Sequence, residues 1–283
     1  MSSTPKNARW SGGEQGLLGP RPALTLFSLA VYGFILAPVV MVVAMSFFDQ
    51  ELISFPIRGW TADWYVNAWN NPDFTRGLVA SLKVSIIATA MGVPIGVAAG
   101  YALVRSEGRW RGPLSLLLLG PLVVPGIIAG AAMYLFFVQL NDGLGIGLAN
   151  SLAGLILAHV LLTIPWSMRL TLASLEGLDR GPEEAAANLG ASPPVVFWRV
   201  TLPALKPAIV GGSIFAFIQS FENLEMTLFL VSPGTTTLPI AMMNYLEFRA
   251  DPTVAAVATI QIVIVAAALL VTDRFVNIAR VVR

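Results

Sequence analysis

Six long apolar runs constrain this chain more than any other feature. They read Leu24–Phe47, Leu78–Val104, Leu114–Val138, Leu152–Leu170, Ala208–Val231 and Val254–Thr272. About 20 apolar residues suffice for a helix to cross the hydrocarbon layer of a bilayer. Inside that layer every backbone N–H and C=O needs a partner within the protein, which leaves helices or a closed barrel. The runs are continuous rather than alternating, and this selects helices. Composition agrees: of 283 residues, 56% are hydrophobic and only 12% charged, against about a quarter charged in soluble domains. The expected fold is therefore an all-α membrane protein of about six transmembrane helices. It occupies residues 23–283, behind a polar, Ser/Gly-rich tail over residues 1–22. The first run is long enough to span, so the tail reads as a cytoplasmic extension and not as a cleaved signal peptide.

Basic residues sort by side. Thirteen of the 17 fall on alternate loops and ends: Lys6, Arg9 and Arg21; Arg105, Arg109 and Arg111; Arg169, Arg180, Arg199 and Lys206; and Arg274, Arg280 and Arg283. The remaining Arg58, Arg76, Lys83 and Arg249 lie on the other side. Positive charge accumulates on cytoplasmic loops, so both termini and the loop over residues 171–207 are expected in the cytoplasm. A net charge of +1 implies no bulk attraction to nucleic acid. With no cysteine, disulfides and zinc–thiolate sites are excluded. No Gly-rich phosphate loop, HExxH or Ser/His/Asp order is present, so no catalytic residue, metal ligand or cofactor is assigned to this chain.

The 171–207 loop is the longest polar interval in the second half. Asp179 is a candidate cap, Pro182 suits a first turn, and Glu183 and Glu184 favour a helix N-terminus. Ala185, Ala186 and Ala187 are strong helix formers. Gly190 is placed to end the helix in a left-handed conformation, and Pro193 and Pro194 discourage its continuation. The order Glu184-Ala185-Ala186, three residues, Gly190, nine residues, Val200, one residue, Leu202-Pro203 resembles the EAA motif of ABC importer permeases, with Val200 where that family usually has Ile. The resemblance implies a type I permease-like fold whose short cytoplasmic coupling helix docks on an ATPase. It assigns the coupling role to Glu184, Ala185, Ala186, Gly190, Leu202 and Pro203. It further implies a second permease subunit, related or identical; a dimer of ATP-binding subunits that hold ATP and Mg; a soluble substrate-binding protein; and a bacterial inner-membrane location amid lipid.

Within the spans, Gly92, Gly96, Ala99 and Gly100 predict close approach of another helix, with Pro94 placed to bend the second span. Pro121, Pro125, Gly126 and Gly130 predict a broken third span, read either as lining a pathway or as a packing irregularity. His159 reads as an interhelical hydrogen-bond partner rather than a ligand, and Pro165 as the point that turns the chain toward the loop. Gln219, Ser220, Glu222, Asn223 and Glu225 interrupt the fifth span. Carboxylates within a membrane mark a pathway or a paired site; helical spacing would put Gln219, Glu222 and Glu225 near one face. The substrate-path candidates are Gln219, Glu222, Asn223 and Glu225, drawing in a cation or else pairing with a partner permease.

The aromatic loop Asp49–Gly77, with Trp60, Trp64, Tyr65 and Trp69, fits an interfacial belt and short surface helix, or part of a platform for the binding protein. Its FPIRGWTADWYVNAWNNPDF succession and the later Ser220-Phe221-Glu222 resemble the polyamine branch of these permeases, although Asn223 stands where that branch often has a second acid. A second short helix is expected after Leu238-Pro239. The reading is a permease subunit of an ATP-driven importer for a small cationic, polyamine-like solute. Alternatives are an aminophosphonate, an amino acid derivative, thiamine or ferric ion. An ion-driven secondary transporter is the competing class, though the paired broken helices of an internal repeat are not evident.

Overall fold

The computed structural model describes residues 22–51, 56–106 and 108–276. The N-terminal tail and the basic residues Lys6, Arg9, Arg21, Arg280 and Arg283 lie outside the described residues, as does the side chain of Arg274. The described chain is helical: α1 (Pro22–Met45), α2 (Asp63–Asn70), α3 (Pro72–Arg105), α4 (Arg111–Leu119), α5 (Gly126–Leu144), α6 (Leu152–Glu176), α7 (Gly181–Asn188), α8 (Pro193–Val196), α9 (Leu202–Ala204), α10 (Lys206–Phe221), α11 (Leu238–Phe248) and α12 (Thr253–Val276). Five helices are long and apolar enough to cross a membrane, and a sixth span follows if Pro193–Ala204 and Lys206–Phe221, bent by 68°, count as one.

Local chemistry sets the helix ends. Asn71 caps α3 by accepting the Asp73 N–H (2.9 Å), with Pro72 in the first turn. Ser151 does the same for α6 through Gly154 N–H (3.0 Å). Gly145, at φ +70°, closes α5. The surface helix expected in the aromatic loop is α2: Trp64 Nε1 donates to the Phe48 carbonyl (2.8 Å), and Tyr65 shares a 2.7 Å hydrogen bond with Ser46. The second expected short helix, α11, starts where Leu238 N–H donates to Ser81 Oγ (2.9 Å), which seats it on α3.

Helices α3, α6 and α10 pack mutually at the centre of the bundle. Their closeness comes from small residues, as the glycine spacing predicts. Gly92, Gly96 and Gly100 of α3 lie directly against Thr163, Ser167 and Thr171 of α6. Thr163 Oγ1 donates to the Ala88 carbonyl (3.1 Å) and Ser167 Oγ to the Val93 carbonyl (3.2 Å), both across the helix pair. Glycine removes the steric barrier, and at Thr163 and Ser167 the opposing hydroxyl fills the space with a hydrogen bond. The α1 helix packs against α12 and leaves large apolar side chains such as Leu26, Phe27 and Phe34 exposed, as a lipid-facing helix would.

Pro94 lies within α3, which stays helical to Arg105. Two expectations are corrected. The α6 helix runs on through Pro165 to Glu176, and the chain turns at Gly177. The fifth span does not remain helical to Val231: α10 stops at Phe221 and a 3-10 turn follows at Thr227–Phe229. Asn223 causes the divergence. Its Oδ1 accepts the N–H groups of Met226 (3.2 Å) and Thr227 (3.3 Å), and its carbonyl accepts the Thr227 hydroxyl (2.8 Å). A side chain that offers the backbone a local partner competes with the helical ladder. The expected break of the third span is present: a 3-10 turn over Gly120–Leu122, then Val123–Pro125, then α5.

Candidate functional site

The first part of the site is α7, at the bundle end that carries Arg105, Arg180 and Arg199. Asp179 Oδ1 accepts the Gly181 N–H (3.0 Å), one step ahead of the expected capping position, since Arg180 occupies the N-cap. The C-terminus closes as predicted. Gly190 stands at φ +87°; its N–H reaches the Ala187 carbonyl (2.9 Å) and the Ala191 N–H reaches that of Ala186 (3.1 Å). This paired closure leaves few free carbonyls and makes a short helix a defined object. Glu184, Ala185, Ala187 and Gly190 are exposed, Ala186 is half-buried, and Leu189 projects at 89% exposure. Pro203 is exposed, whereas Leu202 packs on the cluster of Val93, Val97 and Ala216. Of the assigned coupling residues, Leu202 thus anchors the loop, and the helical residues present a free surface.

Glu183 points the other way. Its carboxylate lies 2.8 Å from Arg105 Nη2 and accepts the Thr201 hydroxyl at 2.7 Å. The sequence reading places Glu183 in the first turn of the helix and Arg105 among the cytoplasmic basic residues, but does not pair them. Their partnership joins positions 78 residues apart, which no local signal announces.

The second part is where the third and fifth spans both lose regular helix. Gly126 opens α5 directly against the Glu225 side chain, and Gly130 against the Met226 backbone. Gln219, Glu222 and Glu225 are exposed on the chain, and neither carboxylate has a basic partner among the described residues. They do not share a helical face, because Glu222 is already the C-cap of α10 and Glu225 lies in the turn beyond it. Asn223 is half-buried and shapes that turn. Buried His159 secures it: Nδ1 is 2.8 Å from Ser220 Oγ and Nε2 3.0 Å from Thr227 Oγ1. The imidazole therefore bridges the last turn of α10 to the 3-10 turn, as an interhelical partner and not a ligand. No group of three or more His, Cys, Asp or Glu capable of holding a metal occurs among the described residues.

At the opposite end, the starts of α3 and α6 and the helix α11 frame an open cavity of about 1220 Å³. Asn67, Asn71, Arg76, Lys83, Asn244 and Arg249 line it. Beside it, burial pushes the Asp251 carboxyl up. Hydrogen bonds from Thr253 and Tyr245, with the Arg249 charge, outweigh that and hold it below the usual carboxylate range.

Residues 92–280 match the family described as binding-protein-dependent transport system inner membrane component. The chain belongs to this family. It is an ABC importer permease, a transport subunit and not an enzyme; ATP hydrolysis in such systems resides in a separate subunit. This permease is 32% identical over 231 residues to the putrescine transport system permease PotI of Escherichia coli K12, covering 81% of this chain and 82% of that one. It is 33% identical over 240 residues to the molybdenum transport system permease ModB of Mycobacterium tuberculosis, covering 80% and 88%. Among solved structures, a bacterial ABC transporter that imports the acidic polysaccharide alginate superposes with TM-score 0.67 at 16% identity, over 90% of this permease and 95% of that chain. The methionine transporter MetNI gives TM-score 0.61 at 21% identity, over 72% and 94%. These two likenesses concern the fold.

Proposed function

We propose that this permease passes a small cationic solute of polyamine type, delivered by a soluble binding protein, through a pathway formed with a second permease subunit. The observation that carries the reading is the exposed pair Glu222 and Glu225, without basic partners in the described chain, at the meeting of two broken spans. An uncompensated carboxylate near the middle of a membrane is costly unless it faces water or a cation. Similarity to putrescine and spermidine/putrescine permeases supports the same class.

In this reading the α7 end faces the cytoplasm, with both termini, as the distribution of basic residues argues. The exposed face of α7 docks on an ATPase dimer. Closure of that dimer on ATP moves α7 as a rigid body, and the central helices exchange an inward-open for an outward-open arrangement.

One observation favours an anionic solute instead. Arg76, Lys83 and Arg249 outnumber Asp73 and Asp251 in the lining of the cavity at the far end, and the similar ModB is a molybdenum transport permease. Uptake of labelled putrescine and of labelled molybdate by cells expressing the complete importer decides between them. Saturable putrescine uptake is the expected result; molybdate uptake alone would overturn the cationic reading.

A further inference from the structure

The contact between the coupling helix and the bundle is a junction of three residues. Glu183 of α7 holds Arg105, the last residue of α3, and Thr201, which ends the π-helical turn Phe197–Thr201 leading into α9 and α10. The Glu183 and Arg105 side chains are only 13% and 15% exposed. One carboxylate thus connects α7 with the central helix α3 and with the turn that leads, through α9, into α10.

Stability alone is a poor account of this junction. Arg105 Nε and Nη1 are buried without a partner among the described residues. A desolvated guanidinium with unused donors offsets much of the attraction to its carboxylate, and an apolar pair of similar volume would hold the elements together as well. What an apolar pair does not supply is register: a directional bond that makes α7, α3 and the π-helical turn move as one.

We propose that Glu183, not Glu184, transmits the displacement of the coupling helix to the bundle, with Arg105 and Thr201 as its two receiving points. This rests on the reading that α7 docks on an ATPase; Glu184, on the exposed side, belongs to the grip. Glu183 and Arg105 are positioning residues and touch no solute.

The test uses the complete importer in liposomes. Because the chain lacks cysteine, a single Val123→Cys at the break of the third span reports opening, through its rate of labelling by an impermeant maleimide with and without ATP and vanadate. Glu183→Arg and Arg105→Glu are each expected to reduce the nucleotide-dependent change in that rate about tenfold, the equivalent of ~1.4 kcal/mol. The exchanged pair should recover it to within about twofold. Glu183→Gln keeps the size and the Thr201 bond while losing the charge. It should show the same loss in protein that still folds and assembles, which covers the case where charge reversal prevents assembly. A normal nucleotide response in folded Glu183→Gln, or no recovery in a folded exchanged pair, overturns the proposal. Failure of the docking reading looks different: Glu184→Lys would then retain its nucleotide response whatever the Glu183 variants do.

Discussion

A β-carbon on Gly96 would fall on the Ser167 hydroxyl and come within 2.6 Å of the Ile164 carbonyl oxygen. Backbone cannot yield as a flexible side chain does, so even one methyl must push α3 and α6 apart. Gly96→Ala is expected to destabilise the permease by about 1–3 kcal/mol. Gly112→Ala in α4, where nothing lies within 4 Å, should be neutral or slightly stabilising. Thermal unfolding in detergent, read side by side, checks the contrast; equal midpoints would place the helix contact elsewhere.

His159→Ala removes the two bonds by which α6 holds the turn after α10 and leaves a void beside Ser220 and Thr227. The expected loss is about 3 kcal/mol. The turn should also become susceptible to proteases before the bundle unfolds, which limited proteolysis of the purified permease would reveal.

Glu184 is exposed on α7 and its side chain makes no hydrogen bond or ion pair within the described chain, so its replacement leaves folding intact. Glu184→Lys is expected to insert normally and to reduce solute-stimulated ATP hydrolysis of the reconstituted importer by tenfold or more, about 1.4 kcal/mol in coupling. Unchanged stimulation would remove α7 from the docking surface.

Replacing Glu222 and Glu225 together by Gln removes two charges and retains their volume. Putrescine uptake should fall by about an order of magnitude, with assembly of the ATPase unaffected. Uptake at the unsubstituted rate would return both acids to a structural role.

That the chain is a bundle of five or six apolar helices was legible because lipid accepts few alternatives: a long apolar run without alternation has one economical conformation. Gly190 was legible for a similar reason, since a left-handed helix stop favours a residue without a side chain. The end of α10 was not. Residues Glu222 to Val231 are no less apolar than many helical stretches, and the sequence does not say that Asn223 will turn its amide onto the backbone three residues ahead instead of leaving it to a neighbour. The α3–α6 contact was half legible. Glycines at 92, 96 and 100 announced a close approach, and the matching spacing of Thr163, Ser167 and Thr171 was the overlooked sign of what approaches. Glu183 was hidden by its neighbour, because a motif identifies Glu184 while nothing local distinguishes the acid that faces inward.

The 68° corner between Pro193–Ala204 and Lys206–Phe221 has a mechanical result. The cosine of 68° is about 0.37, so a push along the first arm yields little more than a third of its travel along the axis of the second, and the remainder acts sideways. An elbow of this kind turns a tug beneath the membrane into a swing of α10. The larger share of the motion lies across the helix axis, so the polar tip of α10, with Gln219 and Glu222, moves more sideways than lengthwise.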